Sequence, residues 1–224
     1  MPGSYGPLSH SPPPLVPWRS WARGCALALG LCGLARDASA QANPLEARSK
    51  GRADAPVTIY VMSDFQCPFC RDFALNTMPA LEREYITPGK VRFTFVNYPL
   101  TNIHQHAVQA AEVAMCAALQ GKFWQVHDRL FQRQEEWAAR QDAGPYLLAL
   151  ADSTGVNHAQ LAECVTTHAT RSAVEADAAA SIRAGARSTP TFYIEGGLID
   201  GAAPIAAFRE ILDSVYQAKT AAAH

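Results

Sequence analysis

The stretch Ser63 to Cys70 reads Ser-Asp-Phe-Gln-Cys-Pro-Phe-Cys and places two cysteines three residues apart. Such a pair can hold a metal, staple the fold or exchange disulfides. Structural zinc takes four ligands, commonly from a second Cys-x-x-Cys or a histidine pair. No second Cys-x-x-Cys is present, and no spacing brings His104 and His106 to Cys67. Neither a metal nor any other cofactor is expected.

Redox chemistry needs one activated thiol and one protected thiol. Cys67 follows a β-branched run and opens a helical pattern, with Pro68 suited to the first turn. The helix N-terminus offers partial positive charge and free N–H groups, both of which favour a thiolate. Thiols in such motifs reach pKa values of about 3.5 to 7.5. Cys67 is thus the expected nucleophile. Cys70, one turn inside, is the expected resolving thiol. A purely structural Cys67–Cys70 bridge is the alternative reading.

The surrounding elements must position this pair. Val57 to Met62 reads as a short buried strand, and Pro68 to Ile86 as a helix that Pro79 should kink or split. Val91, Phe93 and Phe95 alternate as one face of a second strand. An alanine-rich helical block runs from about His104 to Gln134, interrupted near Gly121, with further helices at about 144–152, 156–168 (capped by Asn157) and 170–184. Ser188 to Gly201 reads as strand, Gly-Gly turn, strand, and Ile205 to Ala218 as a closing amphipathic helix. The order gives an α/β fold with a central mixed sheet of about four strands and an inserted helical subdomain.

The N-terminus is of another kind. Arg19 and Arg23 precede the apolar run Gly24 to Ala35, and Ala38-Ser39-Ala40 follows. That is the pattern of a secretory signal peptide, with cleavage expected after Ala40. Cys25 and Cys32 leave with it. Cys67, Cys70, Cys116 and Cys164 remain, an even number that permits two disulfides in an exported protein. The remaining chain has 16 basic and 19 acidic residues, a net charge of -3, against -1 for the whole. Neither value suggests nucleic acid as a partner. The expected organisation is 1–40 signal peptide, 41–56 polar lead-in, 57–100 and 186–218 the two halves of the sheet domain, 101–185 the helical insertion, and 219–224 a tail.

Taken together, the Cys-Pro-Phe-Cys stretch, Ser188-Thr189-Pro190 before the hairpin and the segment His104 to Phe131 with its Gly-Lys-Phe-Trp-Gln-Val-His-Asp resemble the DsbA-like thiol:disulfide oxidoreductases of the thioredoxin superfamily. The likeness covers residues 50 to 218. It implies a thioredoxin fold, with Pro190 the cis-proline packed against the cysteines. It implies that Thr189 presents backbone to an extended substrate peptide, and its hydroxyl could approach the Cys67 sulfur. It also implies a second, non-catalytic disulfide, Cys116–Cys164; two buried free thiols are the alternative. Phe65 and Phe69 flank the cysteines and are candidates for an apolar substrate platform, or for the core. The family often carries an acidic residue six positions before the first cysteine. Here that position is Val61, and Asp64 is expected on the turn, more exposed. Without a buried acid the thiols lose a charge that would raise their pKa values, which favours an acidic, oxidising Cys67. His104, His106 and His127 are read as hydrogen-bonded residues of the insertion, and Phe123 and Trp124 as core.

The expected function is an exported oxidant of reduced or unfolded secreted proteins, located in the periplasm, monomeric, and re-oxidised (or reduced) by a membrane redox partner. A periplasmic reductase or isomerase is the second reading. A redox-sensing chaperone-like binding protein is the third.

Overall fold

The computed structural model describes residues 45–222. The expected signal peptide and its cleavage site lie outside the described residues. Strands β1 (Ser49–Lys50), β2 (Val57–Ser63), β3 (Val91–Asn97), β4 (Thr191–Ile194) and β5 (Gly197–Asp200) form one sheet in the order β1-β3-β2-β4-β5. The β2–β3 pair is parallel, and the other neighbours are antiparallel. Mixed pairing follows from the connections: a helix carries the chain from β2 to β3, whereas the tight Glu195-Gly196 turn returns β4 into β5. The expected α/β thioredoxin fold is present, with one strand more than expected. The extra strand, β1, is two residues long and too short to leave an alternating pattern. It lies in the segment read as lead-in.

Side-chain alternation divides the sheet into two faces. Ile59 and Val61 of β2, Phe93 and Phe95 of β3, and Phe192 and Ile194 of β4 enter the main core. There they meet Phe73 and Leu81, and Phe208 and Leu212 of α9 (Ile205–Ala221). Met62 and Val96 face the other way, with Tyr60 and Tyr193 beside them. Helix α8 (Arg171–Arg183) packs on β3. A buried ion pair ties it down: Arg48, 2% exposed, pairs with Asp177 of α8, and Asn97 donates to the same carboxylate from its backbone N–H (3.1 Å) and side chain (2.8 Å).

The helical stretch after the cysteines is broken as Pro79 requires. It runs as α1 (Pro68–Asp72), a π turn (Phe73–Thr77), α2 (Met78–Leu81) and a second π turn (Glu82–Ile86). Pro79 sits in the first turn of α2, where its missing N–H and its ring are tolerated.

The insertion comprises α3 (Ala107–Ala118), α4 (Phe123–Gln132), α5 (Gln134–Ala138), α6 (Gly144–Asp152) and α7 (His158–Thr166). Helix α3 begins three residues later than the sequence suggested, because His104 and His106 serve the loop before it. Gly121 has a positive φ of 67° and separates α3 from α4. Asn157 caps α7, accepting the Gln160 N–H at 3.0 Å. A disulfide joins Cys116 of α3 to Cys164 of α7 across a sequence separation of 48. A loop of that length closed in the unfolded chain is worth about 4 kcal/mol in the entropy model. The Cys116→Ala/Cys164→Ala variant is expected to melt about 10 °C lower. An unshifted calorimetric transition would show that the bridge restrains little.

Candidate active site

Cys67 lies at the junction the sequence indicated. It is the N-cap of α1, in an extended conformation, with Pro68 at the first helical position. Its thiol donates to the Thr189 carbonyl at 3.3 Å. The Thr189–Pro190 peptide is cis and directly precedes β4. Cys70, one turn on, is 1% exposed, and its sulfur accepts the Asp64 N–H at 3.4 Å. Both thiols are free.

The two thiols are electrostatically unequal. The Cys67 pKa is pulled down from the ordinary 9 to about 6, first by the hydrogen bond from the Cys70 thiol. Burial opposes this; the Thr189 hydroxyl and the N–H groups of Cys70 and Phe69 reinforce it. Cys70 moves the other way, well above its ordinary value, because burial and the neighbouring Cys67 sulfur disfavour a second thiolate. The Thr189 Oγ1 is buried without a partner in hydrogen-bond geometry. These facts fit one account: the hydroxyl is idle beside a thiol and becomes a donor once the sulfur is a thiolate.

The loop between β2 and α1 is held by Asp64, by the hydrogen-bonded segment from Leu100 to His106, and by Gln66 and Gln134, which carry no signal in the sequence. Asp64 was expected on an exposed turn and is 1% exposed instead. It is buried because its carboxylate is fully used. One oxygen accepts the Gln66 N–H (2.7 Å), and the other accepts the Leu100 N–H (2.8 Å) and pairs with His104 Nδ1 (2.7 Å). Gln66 in turn accepts the His106 N–H at 2.7 Å. From α5, Gln134 donates to the carbonyls of Phe65 (2.7 Å) and Cys67 (2.9 Å). Gln134 is buried, although it sits in a polar run with Glu135 and Glu136. Nothing in that run marks one residue as inward-facing.

The two flanking phenylalanines part company. Phe65 is core, not platform: it is 1% exposed and stacks on Phe95 at a centroid distance of 4.9 Å, with Phe131 at 5.2 Å. It follows the polar turn of Asp64, which directs it beneath the loop. Phe69 is 64% exposed between the two buried cysteines and presents an apolar surface beside Cys67. Val61 is an apolar core residue below the pair. Among the described residues no group of three or more His, Cys, Asp or Glu side chains is placed to hold a metal ion, and Cys116 and Cys164 lie in their own bridge.

The local electrostatics predict that reduced protein is alkylated by iodoacetamide at Cys67, with a rate that rises through about pH 6. Cys70 should stay unreactive at neutral pH. Thr189→Val, which removes one donor to the thiolate, should move the midpoint upward. The sign for stability follows from a folded pKa below the unfolded one. The thiolate's contribution to the reduced fold is fully present above about pH 9 and is lost as pH falls through about 6. A midpoint near 9 would remove the asymmetry on which the site rests.

Comparison with known proteins agrees with this geometry. The family model described as Thioredoxin matches residues 45–214. The Bacillus subtilis "Disulfide bond formation protein D" is 28% identical over 175 residues, 75% of this chain and 77% of that one. The Salinispora tropica "Na(+)/H(+) antiporter NhaA 3" is 31% identical over 147 residues, 66% of this chain; the match spans only 21% of that relative's length. Among solved structures, oxidised BdbD from Bacillus subtilis superposes with a TM-score of 0.69 at 26% identity, covering 76% of this chain and 92% of that one. Alpha-DsbA1 from Wolbachia pipientis superposes with a TM-score of 0.71 at 18% identity, covering 79% and 94%. The chain belongs to the thioredoxin family, and its fold is that of the DsbA-like proteins.

Proposed function

We propose that this chain is an exported thiol:disulfide oxidoreductase that introduces disulfides into reduced secreted proteins through Cys67 and Cys70. The observation that carries the reading is the unequal pair: a thiol at a helix N-terminus pulled down to about 6 beside a buried thiol pushed up. A substrate thiolate attacks Cys67 Sγ in the oxidised pair. The Cys67–Cys70 bond breaks, and its electron pair leaves on Cys70. The second substrate thiolate then attacks its own sulfur in the mixed disulfide and expels Cys67, a good leaving group because its thiolate is stable. The client is oxidised and the enzyme reduced. A membrane redox partner restores the bridge, and Cys116–Cys164 takes no part.

Substrate contact falls to the exposed Phe69 and to the backbone of Thr189 before Pro190. Export rests on the leader pattern ending at Ala40. No helix among the described residues is long and apolar enough to cross a membrane. The protein is proposed to act as a monomer without a cofactor.

The magnitude of the thiolate effect bounds what it explains. Lowering one pKa from 9 to about 6 favours the reduced form at pH 7 by roughly 1.4 kcal/mol, about 30 mV. The span from thioredoxin, about -270 mV, to DsbA, about -120 mV, is roughly five times larger. The oxidising direction therefore draws also on the relatives named for disulfide bond formation.

Oxidised protein is expected to convert a reduced, unfolded ribonuclease to its disulfide form. Cys67→Ser should abolish the reaction, and Cys70→Ser should trap the client as a mixed disulfide. In glutathione buffers the pair should equilibrate near about -120 mV. A value near about -270 mV would reverse the direction of electron flow. Client oxidation that persists in Cys67→Ser would remove the function altogether.

A further inference from the structure

The exchange cycle leaves one proton to account for. When the Cys67–Cys70 bond breaks, Cys70 leaves as a thiolate in a site that penalises its charge, and it must be protonated. In the reverse step it must lose that proton before attacking a mixed disulfide on Cys67. The front of the site offers no exit, because Cys70 is 1% exposed and a client bound at Cys67 covers it further.

Behind Cys70 lies a cavity of about 10 Å3, roughly the space for the centre of one water. Its polar wall is Ser63, Cys70 and His127; the remainder is apolar, Val61 included. Beyond it is a surface groove of about 250 Å3 that reaches Asp128, Lys50 and Glu82. His127 lines both spaces. It is the one titratable residue common to the two, since the other shared side chains are Ala74, Met78 and Phe131. His127 Nδ1 bonds to the Asp128 carboxylate at 2.8 Å, and that side chain is 55% exposed. The bond holds the proton on Nδ1 and leaves Nε2 as the acceptor. Asp64, whose N–H bonds the Cys70 sulfur, does not line the cavity, and both its oxygens are already engaged.

Resting on the proposed oxidoreductase function, we infer that His127 relays the proton between buried Cys70 and solvent, through one water in the rear cavity. In the oxidising direction the electron pair of the broken S–S bond goes to Cys70; the ring first takes up a proton from the groove, then passes its Nε2 proton through the water to Cys70 and returns to the neutral Nδ1–H form. In the resolving direction the Cys70 proton passes to neutral His127 as the thiolate attacks Cys67 and expels the client thiolate. The groups facing the ring are Asp128 from its own helix, Lys50 from β1, Glu82 from the second π turn and Cys70 from α1; Phe, Trp and Met side chains complete the shell. Burial is the largest influence on the ring and lowers its pKa, so it is neutral and ready to accept at neutral pH.

The test is the rate at which Cys70 resolves a Cys67–glutathione mixed disulfide, measured from pH 5 to 9 in the purified protein. His127→Gln should slow resolution at least tenfold at pH 7 and make the rate climb with hydroxide concentration, while the alkylation midpoint of Cys67 stays in place. Asp128→Asn alters only an exposed partner. It should slow resolution about threefold, and it decides the matter if His127→Gln does not fold. Wild-type rates across the pH range in either folded variant would overturn the relay and leave the oxidoreductase standing. Failure of the wild-type protein to form or resolve the mixed disulfide would overturn the functional reading and the relay with it.

Discussion

A thiolate at the start of α1 is useful only while the loop before it is held still, and the insertion does the holding. Gln134 reaches in from α5 to two carbonyls of the loop, and the chain before α3 contributes the Leu100 and His106 N–H groups and the His104 ring. Buried donors and acceptors left without partners cost about 1–3 kcal/mol each. The loop therefore does not part from the insertion cheaply, and the N–H groups of α1 stay aimed at Cys67. The electrostatics of the pair depend on packing that lies outside the sheet domain.

Hydrophobic contact joins the same two regions. Phe65 leaves the loop, stacks on Phe95 of the sheet and meets Phe123 and Phe131 of α4. The ring of His127 sits edge-on within this cluster. Sheet and insertion share one core, and the redox loop is threaded through the place where they meet. The Arg48–Asp177 pair does similar service on the opposite face, where apolar area is smaller and an ion pair shielded from water takes over part of the fastening.

The features legible in sequence were those with local signatures. Cys67 and Cys70 stood out through their spacing, the sheet through alternation at Val91, Phe93 and Phe95, and the split helix through Pro79. Residues whose role depends on distant partners were not legible. Gln134 lies among exposed charges, and only the tertiary fold turns it inward. Asp64 follows a strand as an ordinary turn residue would, and its burial depends on Leu100 and His104, brought near by the β3 connection. Phe65 and Phe69 have equal apolar character in sequence; their places four residues apart, before and inside the start of α1, send the first into the core and the second into solvent. β1 has too few residues to show a period.

The way the loop is gripped also bears on how this chain can change over generations. Two of the contacts from the insertion are made by backbone N–H groups, which any non-proline residue supplies at positions 100 and 106. Position 100 can change side chain while keeping the grip, whereas the buried His106 ring also bonds the Arg140 carbonyl at 2.8 Å. Gln134 has no such freedom, because it bonds two carbonyls at once through a single amide nitrogen. Helix α7 is joined to α3 by the Cys116–Cys164 disulfide, away from the redox loop. The insertion thus combines an inner edge tied to the redox loop with an outer body that carries fewer of those ties.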